Sequence, residues 1–184
     1  MTTRPGNRSA LLVIDVQVGV VAKAFERDRV VANVALAVRR AREAGVPVIW
    51  VQHHADDLKR GSPEWEIVPE LQPAAGELRI HKTFESSFEG TELLAELDRL
   101  GVSRLFIAGA STNWCIRATA YASLERGFDV TLLGDAHTTS DMEPAPGRVI
   151  HARGVIDDLN TVMQWLSYPG RSSAVKTVDE ATFG

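Results

Sequence analysis

A chain of 184 residues, 45% hydrophobic and 24% charged, has the composition of an ordinary soluble globular protein. It is long enough to bury a core without staples, and one domain over residues 1–184 is expected. Twenty-four acids against twenty bases leave a net charge of −4, with the signs mixed and no basic block, which excludes a nucleic-acid footprint and points to a small molecule or a protein as partner. A single cysteine excludes an internal disulfide, and no charged-then-apolar leader or apolar run of membrane-spanning length stands out, so the expected setting is the reducing cytoplasm with no membrane contact.

After a short polar arm, Met1 to Arg8, the run Ala10-Leu11-Leu12-Val13-Ile14 suits a strand covered on both faces, and it ends in Asp15. From Phe25 to Ala44 the positions Val30, Val31, Val34, Val38 and Ala41 keep helical spacing, and Gly45 follows as a stop. Val46 to Val51 makes a second strand. Gln52 to Gly76 is a long connection of the kind that tends to carry function, polar but holding Trp65, Ile67 and Leu71. Leu78 to His81 is a short third strand leading to Lys82. Leu93, Leu94, Leu97 and Leu100 then form a helical stripe stopped by Gly101. Leu105 to Ala108 is a fourth strand, and a helix runs from Cys115 through Ile116, Ala120 and Leu124 to Gly127. Val130 to Leu133 is a fifth strand, a helix is expected from about Pro146 to Trp165, and Val175 to Val178 would be a last, edge strand.

Strands alternating with helices at this spacing predict an α/β fold, a three-layer α-β-α sandwich whose doubly wound, mostly parallel sheet has about six strands. All the strand ends then open on one rim. Asp15 follows strand one, Lys82 strand three and Cys115 strand four, so three chemically distinct groups converge there from distant positions. A cysteine at the start of a helix gains thiolate character from the helix field, which predicts a lowered pKa. The bland alternatives are a core-filling cysteine, a capping acid and a solvated lysine. Neither a Gly-rich dinucleotide fingerprint nor a phosphate-cradling loop ending Gly-Lys-Ser/Thr is present, and no cofactor is expected.

The stretches Leu12-Val13-Ile14-Asp15-Val16-Gln17, Lys82 with Ser87-Phe88-Glu89-Gly90-Thr91-Glu92-Leu93, and Gly109 through Thr119 around Cys115 resemble the isochorismatase-like cysteine hydrolase superfamily over about residues 9–165. The resemblance implies an Asp/Lys/Cys triad on Asp15, Lys82 and Cys115. It also implies an oxyanion hole built from the main-chain amides of Ser111 and Cys115, with a non-proline cis peptide at Ala110–Ser111. The chemistry agrees: a thiolate attacks an amide carbonyl, a carboxylate takes the thiol proton and returns it to the leaving amine, and an ammonium holds the pair. Gln17, His54, Phe88 and Trp114 are the expected substrate-binding residues, the two aromatics as an apolar wall.

Zinc-holding relatives, the nicotinamidases, carry an Asp-x-His pair after strand two, where this chain has Gln52-His53-His54. Adjacent histidines on an extended chain point to opposite sides, so no metal is expected. His137 and His151 suit structural or surface roles. Within the superfamily the tail around Pro144–His151 looks most like the streptothricin-hydrolase side. The implied function is hydrolysis of an amide, lactam or ureido bond of a small molecule through a thioester, in a homo-oligomer, dimer or tetramer. Two alternatives stand beside it: a non-catalytic binding or assembly module on the same fold, and vinyl ether hydrolysis of the isochorismatase type, against which the cysteine argues.

Overall fold

The computed structural model describes residues 3–184, so the first two residues of the polar arm lie outside it. In chain order the first elements are β1 (Arg8–Ile14), α1 (Val18–Val21), α2 (Arg27–Glu43), β2 (Val48–His53), β3 (Leu78–Lys82), α3 (Leu93–Arg99) and β4 (Val102–Ala110). A π-helical turn (Thr112–Ile116) leads into α4 (Arg117–Glu125), followed by β5 (Asp129–Thr138), β6 (Met142–Ala145), β7 (Arg148–Ile150), α5 (Ala152–Trp165) and β8 (Ser173–Lys176).

Six strands form one sheet in the order β3-β2-β1-β4-β5-β8, every neighbouring pair parallel. The continuous apolar character of β1 has the cause expected for a central parallel strand, because each face is covered. Leu11 and Val13 pack with Val31, Val34 and Val38 of α2, whereas Leu12 and Ile14 pack with Leu93 and Leu97 of α3 and Ala120 and Leu124 of α4. The α/β sandwich with a doubly wound sheet is therefore the observed fold. From β1 the chain winds outward to β2 and β3, then crosses back to β4 and onward to β5 and β8. The reversal places a crevice between the carboxyl ends of β1 and β4, where open parallel sheets bind ligands.

Two glycines and one acid shape that crevice. Gly109 has φ +124°, and a Cβ there would stand 1.9 Å from the Ile14 carbonyl oxygen, so only glycine lets β4 approach β1 this closely. Gly19 is held against the long connection, where a Cβ would meet Glu64 Cβ at 3.0 Å. Asp15 itself has φ 50°, in the left-handed region that aspartate tolerates better than most residues.

Two expected elements differ. The helix expected from Pro146 begins only at Ala152, since Met142–Ile150 forms an antiparallel hairpin turned at Pro146-Gly147, with Gly147 at φ +75°. Asp141 then supplies the start signal, its Oδ1 accepting the Ala152 N–H at 2.7 Å. The helix expected from Cys115 begins as a π turn and becomes α-helical only at Arg117. Strand β8 lies at the sheet edge as expected, but over Ser173–Lys176, so that Val178 joins the α2-side core instead. No described helix is long and apolar enough to cross a membrane.

Candidate active site

Four adjacent strands end at this rim. Lys82 closes β3, His53 closes β2 directly opposite it in register, Asp15 follows β1, and Ser111 and Cys115 follow β4. Lys82 Nζ lies 2.7 Å from Asp15 Oδ2 and 3.2 Å from Cys115 Sγ, and it also donates to the Phe84 carbonyl at 3.1 Å. The two charged side chains are almost wholly buried, at 0% and 1% exposure for Lys82 and Asp15. A buried ammonium touching both a carboxylate and a thiol ties the three expected residues into one unit.

The electrostatics follow from burial first. Burial opposes the charge on Lys82, but the Asp15 carboxylate and Cys115 outweigh it and raise its pKa, so the ammonium stays charged. Burial also raises the pKa of Asp15 against the pull of Lys82, which makes it a stronger base than an exposed aspartate. The thiol departs from expectation: burial, reinforced by the Asp15 charge, pushes Cys115 up to about 12, and Lys82 offsets only part of this. A helix-start field was expected to lower it. The cysteine instead sits within the π turn ahead of α4, half-covered beside a carboxylate, where desolvation dominates. At neutral pH the resting group is a thiol.

A cavity of about 630 Å³ opens above this unit, and Asp15, His53, Ser111, Trp114 and Cys115 line it. The Ala110–Ser111 peptide bond is cis. Trp114 is a surface residue of the cavity lip, 55% exposed. Three expected binding residues stand elsewhere. Gln17 is fully buried and clamps the neighbouring strand end, its Oε1 accepting the His53 N–H at 2.8 Å and its Nε2 donating to the His53 and Trp65 carbonyls at 2.9 and 2.8 Å. Phe88 is a core residue, its ring stacked 5.9 Å from Phe128 with the Arg126 guanidinium on it. His54 continues the β2–β3 ladder through its N–H to the Lys82 carbonyl, and it is His53 that lines the cavity.

His53 is the residue that sequence patterning misses. Its Nδ1 lies 3.4 Å from Lys82 Nζ, and burial, followed by the Lys82 charge, lowers its pKa so that the ring is neutral. The signal that finds it is register: residues paired across a parallel ladder share a face, and His53 pairs with Lys82.

Asp15, His53 and Cys115 each offer a donor atom, all within 4.8 Å of one another, the spacing of a candidate metal site. Lys82 Nζ lies 2.7 Å from the aspartate, 3.2 Å from the cysteine and 3.4 Å from the histidine. The ammonium already acts as the cation of this cluster, and a metal ion beside it would meet like-charge repulsion. The donor set does not suit a metal.

A doubly wound α/β domain with a buried Lys–Asp–Cys cluster at its switch point defines a class of protein with a thiol at the sheet's carboxyl edge. The Isochorismatase domain model matches residues 9–155, and the chain belongs to the isochorismatase family. Among curated relatives it is 38% identical over 144 residues to a streptothricin hydrolase of Streptomyces noursei, covering 74% of this chain and 52% of that protein. It is 27% identical over 199 residues to the ureidoacrylate amidohydrolase RutB of Methylobacterium radiotolerans, covering 85% and 75%. The chain thus spans about half the length of the streptothricin hydrolase it matches. Among solved structures, an isochorismatase from Pseudomonas putida superposes with a TM-score of 0.83 at 26% identity, covering 96% of this chain and 92% of that one.

Proposed function

We propose that the chain is a cysteine amidohydrolase that cleaves a carbon–nitrogen bond of a small molecule through a thioester on Cys115. The observation that carries this reading is the contact of one buried ammonium, Lys82 Nζ, with both Asp15 Oδ2 and Cys115 Sγ on the floor of an open cavity. The names of the relatives support the reaction class, since a streptothricin hydrolase and a ureidoacrylate amidohydrolase are among them.

In this mechanism the thiol proton moves to Asp15 as Sγ attacks the carbonyl carbon. The carboxylate is suited to that transfer because burial has raised its basicity towards that of its partner. Lys82 holds the carboxylate and stabilises the sulfur as it gains charge. The tetrahedral oxyanion is received by the main-chain amides of Ser111 and Cys115. The C–N bond breaks, the amine leaves with the proton held by Asp15, and water then cleaves the thioester to release the acid and restore the thiol. A neutral His53, 3.4 Å from Lys82, leaves the ammonium's charge unopposed on that side.

The test is ammonia or amine release from a panel of primary amides, ureido acids and lactams. Cys115→Ala should abolish turnover, and Asp15→Asn should lower kcat by about 10²–10⁴-fold while leaving binding in place. Because the chain has one cysteine, mass spectrometry of acid-quenched enzyme should find the acyl adduct on Cys115 alone. Retention of a tenth of the wild-type rate by Cys115→Ala would rule out thiol catalysis.

A further inference from the structure

His53 lines the cavity within reach of the nucleophile: one of its ring nitrogens, an Asp15 oxygen and Cys115 Sγ all lie within 4.8 Å of one another. Two independent features fix its place. Its backbone is gripped by the Gln17 amide, which accepts the His53 N–H at 2.8 Å and donates to the His53 carbonyl at 2.9 Å. Gln17 and Gln52 are both buried, and their Nε2 atoms also donate to the Trp65 carbonyl, at 2.8 and 3.2 Å. The carboxyl end of β2 is thereby tied to the end of β1 and to the long connection. The ring is set separately, by Lys82, whose Nζ lies 3.4 Å from Nδ1.

The contact with Lys82 decides the tautomer. An ammonium has three donors and no lone pair, so a proton on Nδ1 would point at a positive charge. In the neutral ring Nδ1 is therefore bare and the proton sits on Nε2. The two nitrogens diverge across the ring, so Nε2–H is directed away from Lys82, and among the described residues no hydrogen bond engages it. Such a ring is unsuited to act as the base of a cysteine–histidine pair. Its one bare nitrogen stands beside the ammonium, its other nitrogen already carries a proton, and the Cys115 thiol is hydrogen-bonded to Asp15. What His53 offers a bound molecule is a fixed, uncharged donor.

We infer that His53 is a specificity residue whose Nε2–H donates to a second carbonyl oxygen of the bound amide, beyond the scissile one, and that it takes no proton from Cys115. The inference deepens the amidohydrolase reading and rests on it for the reaction. Sheet order separates the two oxygens. The main-chain amides of Ser111 and Cys115, which receive the scissile oxygen, follow β4, whereas His53 closes β2, and β1 with Asp15 runs between them. A molecule that reaches both spans the end of β1 and carries one acceptor on each side of it. The substrate class is thus an amide with a further carbonyl near the scissile carbon, such as a short diamide. An alkyl amide of the same shape leaves Nε2–H without an acceptor and loses that hydrogen bond.

Two measurements test this without turnover. Long-range proton–nitrogen correlation spectra of nitrogen-15-labelled protein at pH 7.5, with His53→Gln to assign the ring among the five histidines, should show a bare Nδ1 and a protonated Nε2. A protonated Nδ1, or signals averaged between two tautomers, overturns the inference. The single cysteine supplies the second measurement. Two methanethiosulfonates of like shape, 2-carbamoylethyl and 3-methylbutyl, react with Cys115: the thiolate attacks the sulfenyl sulfur, a mixed disulfide forms and methanesulfinate leaves. The carbamoyl-to-alkyl rate ratio cancels the thiolate fraction, and division by the same ratio for 2-mercaptoethanol cancels intrinsic reactivity. Asparagine at position 53 places its amide where Nδ1 stands and still meets Lys82, whereas glutamine reaches the place of Nε2. The ratio should therefore fall by about 3–10-fold in His53→Asn and be largely restored in His53→Gln. A residue that merely anchors Lys82 gives the opposite pattern, and that pattern, or a ratio alike in wild type and His53→Asn, or one lost equally in both variants, overturns the inference. In turnover, kcat/KM should rank malonamide above 3-methylbutanamide, with the gap narrowed in His53→Asn, and the reverse ranking overturns it as well. None of these failures touches the amidohydrolase reading. That reading falls if amide hydrolysis persists in Cys115→Ala, a result that leaves the tautomer and the reagent ratio as they are.

Discussion

Cys115 carries the sharpest difference between local pattern and structure. Its place between a buried strand and a helical segment suggests an activated thiolate, yet burial and the Asp15 charge push the group up to about 12. In the proposed mechanism reactivity comes from proton transfer to Asp15 within the complex and not from a standing thiolate. A thiol of that kind should be alkylated by iodoacetamide at a rate that rises about tenfold per pH unit through pH 9.5, with no plateau, whereas an ordinary cysteine levels off near 8.5. Lys82→Met removes the one charge that favours thiolate, so the whole profile should move to still higher pH. A plateau near neutrality in wild type would show that the helix field wins after all, and an unmoved profile in Lys82→Met would separate that residue from the sulfur. The convergence of Asp15, Lys82 and Cys115 is legible in the sequence because Asp15 follows β1, Lys82 closes β3 and Cys115 lies in the turn after β4, and parallel topology sends strand ends to one rim. Gln17, His54 and Phe88 are misassigned as cavity residues because proximity in a motif does not fix which way a side chain points. Phe88 faces Phe128 in the core, and register puts His53 in the place expected of His54.

At the scale of elements, β4 and the turn after it are the part of the fold with the least freedom. Gly109 sits where β4 breaks register with β5, and a methyl group there would overlap the Ile14 carbonyl while φ stays at +124°. Gly109→Ala should therefore displace β4 from β1, costing roughly 3 kcal/mol or more of unfolding free energy in urea titrations. The displacement should also separate Asp15 from Cys115, so activity should fall by more than the folded fraction does. An alanine variant as stable as wild type would mean the strand pair accommodates the methyl and that the close approach is dispensable. The main elements can be read from apolar spacing because central parallel strands are buried on both faces and α2, α3 and α4 each bury one. The hairpin Met142–Ile150 cannot be read that way. Its residues are mostly exposed, so no period is imposed on them, and the antiparallel pairing depends on Pro144, Pro146 and Gly147 rather than on any buried face.

For the whole molecule, the group that links the site to global stability is His137, and its titration supplies a test of the entire arrangement. The residue is wholly buried on β5, its Nδ1 2.9 Å from Thr112 Oγ1 in the π turn and its Nε2 2.9 Å from Asn160 Oδ1 in α5. Asn160 Nδ2 donates to the Gly134 carbonyl, which orients the amide, so Oδ1 accepts from Nε2–H and Nδ1 accepts the threonine hydroxyl. One neutral ring thereby joins the cysteine-bearing turn, the sheet and the last long helix. Burial lowers its pKa to about 4, from an unfolded value near 6.5. A histidine lowered in this way adds stability that is present in full above pH 6.5 and is lost as the pH falls towards 4, because the unfolded chain binds the proton first. The loss should be roughly 1 kcal/mol at pH 5.5 and between about 2 and 3 kcal/mol at pH 4.5. We further propose that residues 1–184 unfold as one domain, in which case breaking this brace is felt globally and not only in α5. Urea titrations of wild type and His137→Gln at pH 7, 5.5 and 4.5 isolate the effect, since every other group titrates alike in both. The stability gap between them should close by those amounts as the pH drops, with circular dichroism and tryptophan fluorescence reporting the same midpoint. A gap that stays constant would mean His137 titrates like an exposed histidine. Midpoints that separate would mean α5 comes away by itself, and the brace would then bind a local unit instead of the whole fold.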